Sequence, residues 1–150
     1  MPNANREGNF ETDLKKALFN VGTVLYEPLQ KDQLMMMTIR AHDQFNTTIY
    51  GLNDRYRGIY NERRVIFMNQ ADMNVRGLKE KDIVDIFNHD DGIERVAHRF
   101  LVVAYPIPAG CCATYYPETN VLVPISSVAL KSNTPTSKEV RVTIQKQPSA

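Results

Sequence analysis

The chain has 150 residues, 43% of them hydrophobic, with 18 basic residues against 17 acidic and a formal net charge of +1. That length suits one domain with a real core, and the near-neutral balance argues against a nucleic-acid or membrane-surface role. Apolar runs fall well short of the roughly 20 residues that span a bilayer, the opening MPNANREGNFETDLKK lacks an apolar signal core, and the adjacent Cys111 and Cys112 would form only a strained disulfide, so the expectation is a cytoplasmic protein or a fragment of one.

Residues 1–20 read as a linker or disordered N-terminal segment and residues 21–150 as the folded domain. Met1 to Gly8 is polar. Glu11 to Leu18 has weak helical spacing, with Thr12 or Asp13 as a cap. Val21 to Leu25 reads as a short strand ended by Pro28. Leu34 to Ile39 is a clearer strand, apolar apart from Thr38. Arg64 to Met68 is a second apolar strand. Asn69 and Asp72 can cap a short helix over Ala71 to Arg76, with Gly77 as its stop.

Ile83 to Phe87 and Ile93 to Tyr105 flank the turn signal NHDDG and read as a hairpin. In PIPAGCCATYYP, Pro106 to Pro117, the prolines, the glycine and the small residues predict a turn and no long element. Val121 to Ile125 reads as a short strand with Pro124 at an edge or bend. Ser126 to Ser137 is a Ser-, Thr-, Asn- and Pro-rich loop. In Lys138 to Lys146, period-two alternation puts Val140, Val142 and Ile144 inward. Six or seven short strands with one or two short helices make a barrel or a sandwich, not a doubly wound sheet.

The stretch that carries chemistry is LMMMTIRAHDQFNTTIYGLNDRYRG, Leu34 to Gly58. After the strand, Arg40, His42, Asp43, Gln44, Asn46, Thr47 and Thr48 all offer hydrogen-bonding side chains. Such a run after a buried strand suits a loop wrapped around a polar ligand; an ordinary solvated loop has the same composition. Hydroxyl and amide groups suit phosphate oxygens and the edges of a heterocycle, and Arg40 can make a two-pronged contact. The cluster Arg55, Arg57, Arg63 and Arg64 reads as a solvated face. His42, His89 and His98 are scattered and no CxxC or HxxxH spacing exists, so no zinc or iron–sulfur site is expected. A nucleophile pair of Cys112 and His42 has no spacing to support it.

TIRAHDQFNT, Thr38 to Thr47, resembles the cofactor-binding block of molybdopterin oxidoreductases, at the start of their C-terminal molybdopterin-dinucleotide-binding domain. HDQFNTTIYGLNDRYRG, His42 to Gly58, is similar to the subgroup of formate dehydrogenase alpha subunits. The resemblance runs to the end of the chain and implies a mainly β fold, a six-stranded double-psi β-barrel with one or two short helices. It also implies that residues 1–20 enter from a preceding domain. By that match Thr38, Arg40, Gln44, Asn46 and Thr47 are expected cofactor contacts, with His42 and Thr48 beside them.

The family's Asn before a short strand falls on Asn120, and its Thr-Pro segment followed by a Lys matches Thr134 to Lys138, which makes Ser137 and Lys138 candidates. The implied cofactor is molybdopterin guanine dinucleotide, with molybdenum or tungsten held together with other domains. Iron–sulfur ligands, the metal's protein ligand and the remaining domains or subunits of the oxidoreductase lie outside this sequence. The chain on its own is therefore expected to be inactive. The alternative is a stand-alone double-psi barrel that binds a protein or peptide, because fold does not fix function. Tyr26, Tyr50, Tyr56, Tyr60, Tyr115 and Tyr116 are candidates for an exposed interface.

Overall fold

A computed structural model describes residues 4–23, 27–45 and 51–148. Six strands form one closed barrel: β1 (Leu34–Ile39), β2 (Val65–Met68), β3 (Ile83–Asn88), β4 (Arg95–Ala104), β5 (Cys111–Tyr115) and β6 (Val140–Lys146), ordered β1-β5-β2-β4-β3-β6 around the wall. Closure pairs each strand on both sides, so the barrel presents no free sheet edge. The mainly β, six-stranded barrel expected above is the observed fold, with a single α-helix among the described residues, α1 (Gln70–Val75).

Two of the six contacts are parallel. β1 lies beside β5 with Thr38 opposite Thr114 and Ile39 opposite Tyr115. β2 lies beside β4 with Ile66 opposite Val102. The other contacts are antiparallel, including the β3–β4 hairpin, whose register shifts at a bulge between Val84 and Ile86. Consequently β1 and β5 both leave the wall at one end of the barrel. β6 enters near that same end, because it runs antiparallel to β1 with Val140 opposite Met36.

Alternate residues of all the strands meet inside, among them Leu34, Met36, Ile66, Met68, Val84, Ile86, Phe100 and Val142. β2 is buried on both faces. Ile66 and Met68 join the interior, while Val65 and Phe67 pack outward with Ala41, Ile59, Ala113 and Tyr115 in a second cluster. Phe67 meets the Tyr115 ring edge-on at 5.5 Å. The segment between β1 and β2 is thereby fastened onto the outside of the barrel.

The predicted helix forms one residue early. Asn69 caps it, with its side-chain oxygen accepting from Ala71 N at 2.8 Å. Gly77 ends it at φ +64°, a left-handed conformation that favours glycine. Asn69 also donates to Ile107 O (2.6 Å) and Asp72 accepts from Gly110 N (2.8 Å), which ties the helix to the β4–β5 connection.

Four expectations fail. The Gly110-Cys111-Cys112 segment is no mere turn: Cys111–Tyr115 is β5, and it sits between β1 and β2. Its small residues fit because β5 is buried almost throughout. Val121 to Ile125 is not a strand; Asn120–Leu122 is a 3-10 turn, and Pro124 follows it. Glu11 to Leu18 is not helical, with turns and bends at 13–16. Of the expected strand at Val21 to Leu25, residues 21–23 carry no strand and the remainder lies outside the described residues, as do Tyr26 and Tyr50.

Tyr115 is no exposed interface residue but a core one, 1% exposed, whereas Tyr56 and Tyr60 are exposed. No helix among the described residues is long and apolar enough to cross a membrane.

Candidate functional site

The end where β1 and β5 leave the wall opens into a pocket of about 290 Å³, lined by Thr38, Arg40, Tyr116, Asn120, Thr134, Pro135, Ser137 and Lys138. Thr38 and Arg40 come from the exit of β1, Tyr116 follows β5, Asn120 opens the 3-10 turn, and Ser137 and Lys138 precede β6. Five residues from three separate parts of the sequence reading (Thr38, Arg40, Asn120, Ser137 and Lys138) thus converge on one cavity.

Local structure explains the convergence. Thr38 N donates to Ser137 O at 3.1 Å, extending the β1–β6 contact beyond the strand itself. Lys138 Nζ donates to Thr38 O. The preceding loop folds back on itself: Ala129 N donates to Thr134 O (2.8 Å) and Thr136 N to Ser127 O (3.0 Å). On the other side, Tyr116 N donates to Ile39 O at 2.9 Å.

Buried polar residues fix Asn120. The Thr119 hydroxyl meets the Thr114 hydroxyl at 2.7 Å inside the barrel mouth. The buried Asn88 amide donates to Leu122 O at 2.7 Å. These bonds satisfy polar groups that would otherwise be costly at such depth.

The charge pattern is one-sided. Arg40 and Lys138 are the only ionised lining residues, and both are cations. Among the described residues no carboxylate pairs with Arg40, which leaves its fork of donors free for a ligand. Three hydroxyls (Thr38, Thr134 and Ser137) and the Asn120 amide add neutral donors and acceptors. Such a set suits an anion joined to a heterocycle with polar edges.

Other expected contacts lie elsewhere. His42 is exposed and packs its ring against Tyr56, 3.8 Å between centroids. Gln44 is buried and does not line the pocket: its Oε1 accepts from Arg63 Nη2 at 3.4 Å, and its Nε2 has no partner among the described residues. Asn46, Thr47 and Thr48 lie outside the described residues. Tyr116 and Thr134 were not singled out as contacts from the sequence; the strand-like register Thr38–Thr114 and Ile39–Tyr115 that brings Tyr116 there is a long-range feature.

Behind the pocket wall sits a polar network that sequence composition misreads. Arg63, expected on a solvated face, is only 4% exposed. Its Nε meets Glu118 Oε1 at 2.5 Å, its Nη2 donates to Tyr116 O at 3.1 Å, and its guanidinium lies 5.0 Å over the Tyr115 ring. Arg57, also assigned to that face, is half-buried and pairs with buried Asp54 at 2.5 Å. Asp54 accepts from the Tyr115 hydroxyl as well, at 2.8 Å.

Burial alone would raise the Asp54 carboxyl; the hydrogen bonds from Arg57 and Tyr115 and the Arg57 charge together outweigh it and hold the group below its ordinary value. Burial, with the bond to Asp54, pushes the Tyr115 phenol up. Arg55 and Arg64 remain exposed.

Cys112 offers no nucleophile. It lies fully buried in the barrel interior, and burial pushes its thiol well up, so the thiolate is suppressed. His42 sits on the exposed surface instead. Among the described residues, no group of three or more His, Cys, Asp or Glu side chains is placed to hold a metal ion.

Comparison with known proteins adds a family. The pattern describing the "Molydopterin dinucleotide binding domain" matches residues 34–148, from the first residue of β1 to beyond β6. An uncharacterized oxidoreductase of Mycobacterium tuberculosis is 48% identical over 141 residues, and its counterpart in Mycobacterium bovis is equally similar. The protein YdeP of Escherichia coli is 34% identical over 149 residues. These alignments take in 91% and 95% of this chain, yet only 18% of the mycobacterial proteins and 20% of YdeP.

Proposed function

The chain belongs to the molybdopterin dinucleotide binding domain family, and from that premise we propose that it holds the guanine form of the dinucleotide at the open end of the barrel, as the cofactor-positioning domain of a formate-dehydrogenase-like molybdenum or tungsten oxidoreductase. The observation that carries the reading is the pocket shared by Thr38, Arg40, Asn120, Ser137 and Lys138, charged only by two cations.

The donor set fits the cofactor. Arg40 and the Lys138 ammonium would face phosphate or pterin oxygens, while Asn120 and the hydroxyls of Thr38, Thr134 and Ser137 would take the edges of a ring. By the same resemblance Asn46, Thr47 and Thr48 complete the proposed contact set, and Gln44 would join it only by leaving Arg63. When bound, the cofactor supplies a metal held by its dithiolene sulfurs.

Size supports a divided site. A cavity near 290 Å³ sits at the lower edge of the roughly 300–1,000 Å³ typical of small-molecule pockets. It has room for one portion of a dinucleotide rather than the whole. The chain spans about a fifth of its curated relatives, and we assign the rest of the cofactor's surroundings, the metal's protein ligand and the iron–sulfur ligands to other domains. The protein's role is then orientation, with the hard chemistry left to the cofactor.

Titration of the chain with molybdopterin guanine dinucleotide, and with GDP as a partial mimic, tests this. Each charge-assisted bond contributes about 1.5–3 kcal/mol, so Arg40→Ala or Lys138→Ala should weaken binding by about tenfold or more. Absence of saturable binding, with both variants indistinguishable from the parent, would instead favour the protein- or peptide-binding alternative. Robust formate oxidation by this chain alone would contradict the assignment of catalytic ligands elsewhere.

A further inference from the structure

The sequence RYRG, Arg55 to Gly58, has no role in lining the pocket, yet its third residue reaches the pocket's backbone. Asp54 and Ile59 bridge each other, with Asp54 N donating to Ile59 O (2.8 Å) and Ile59 N to Asp54 O (3.0 Å). Gly58 closes this turn at φ +69°, a conformation that residues with a Cβ adopt reluctantly. Ile59 anchors the turn in the outer apolar cluster. The turn directs Arg57 toward β1, where its Nη1 meets Asp54 Oδ2 at 2.5 Å and donates to Arg40 O at 3.3 Å.

Arg63 makes the matching contact on the neighbouring strand exit, donating to Tyr116 O at 3.1 Å. Arg40 and Tyr116 are both pocket residues. Their carbonyls each accept from a guanidinium group, and both residues line the cavity.

We propose that Arg57 is a positioning residue for ligand binding: by holding Arg40 O against the Asp54 turn, it aims the Arg40 guanidinium, which pairs with no carboxylate among the described residues, into the pocket. The proposal rests on the reading of that pocket as the dinucleotide site. Arg57 itself touches no ligand. Its fixed distance from the cavity comes from Asp54, which Tyr115 holds in turn. A locked side chain behind a binding group is worth having, because a binding group free to wander loses affinity to its own conformational entropy.

Two readouts on the full chain test it. In the first, GDP is titrated against Arg57→Met, Arg40→Ala and the double variant. Arg57→Met should weaken binding about tenfold alone but less than twofold in the Arg40→Ala background, since the group it aims is then gone; Arg57→Lys, which keeps a cation beside Asp54, should recover part of the loss. Equal effects in both backgrounds, or none in either, would overturn the proposal. The second readout needs no ligand: amide exchange at Tyr116, whose N–H donates to Ile39 O immediately before Arg40. Arg57→Met should speed that exchange at least tenfold relative to the amides of β2. If the parent chain fails to bind GDP, the functional reading falls; an unchanged Tyr116 exchange rate sinks the positioning role in either case.

Discussion

Replacing Arg63 by Met measures how deeply the pocket's support is built into the fold. The substitution keeps an apolar stem of similar reach and removes the guanidinium. Glu118 then loses the partner that lies 2.5 Å away, and its side chain is only 14% exposed. Tyr116 O, Gln44 Oε1 and Gly51 O lose a donor at the same stroke. Breaking a buried pair from one side costs about 3–5 kcal/mol, and the partial exposure of Glu118 places this case near 3 kcal/mol.

For a chain of this size, 1 kcal/mol moves the melting midpoint by about 2–4 °C, so Arg63→Met should melt about 6–12 °C lower by far-ultraviolet circular dichroism at neutral pH. Adding Glu118→Leu should restore a good part of the loss, because an apolar pair replaces a buried ion pair at little cost. The deficit should also persist in high salt, since screening acts weakly on buried charges. A drop of less than about 1 kcal/mol is the behaviour of a surface ion pair, and would refute the assignment of Arg63 as a structural residue.

Two further outcomes follow from titratable groups. Asp54 ionises below its ordinary value in the folded chain, so its contribution to stability is complete above about pH 4 and is lost as the pH falls through the folded-state value; unfolding free energy by urea at pH 6, 4 and 3 should fall by up to about 1.4 kcal/mol per pH unit more steeply in the parent than in Asp54→Asn, and identical slopes would dismiss the Asp54 network as a source of acid sensitivity. Iodoacetamide at pH 8 should modify partly exposed Cys111 in the native chain and reach buried Cys112 only on denaturation; equal native rates for the two would contradict a sealed barrel interior.

What could be read from the sequence follows a physical divide. β1, β2, β3, β4 and β6 announce themselves through apolar runs and alternation, and α1 through Asn69 and Gly77, because those signals are local. β5 is hidden because its residues, Cys-Cys-Ala-Thr-Tyr, are mostly small: a strand buried between two neighbours has no polar face to alternate with. VLVPI carries strand-like residues and even alternates in burial, yet Asn120–Leu122 closes as a 3-10 turn with Val123 N donating to Asn120 O, and Asn88 holds that turn from β3. Of the expected contacts, those next to strand ends (Thr38, Arg40, Asn120, Ser137 and Lys138) gather in one cavity. Gln44 does not, because Arg63 captures its amide. Composition could not foresee that capture: an arginine in a basic stretch looks solvated until its carboxylate, fifty-five positions later, is brought beside it.

The same long-range event accounts for where the pocket forms. Two parallel neighbours, β1 and β5, deliver Arg40 and Tyr116 to one end of the barrel, and polar exits there are unavoidable once the chain leaves the wall. Water alone could satisfy those exits, and a site open to water on every side would leave Arg40 and Tyr116 free to move. The Leu52–Arg63 excursion prevents this by lying across the outer face of β2 and β5, where Val65, Phe67 and Tyr115 pack against Ile59. Its two inward arginines then spend their donors on backbone carbonyls and on Asp54 and Glu118. On the positioning proposal the outer layer is more than a cover for apolar strand surface: its arginines tie the Arg40 and Tyr116 carbonyls to Asp54 and Glu118, and the geometry of the cationic pocket would depend on those ties.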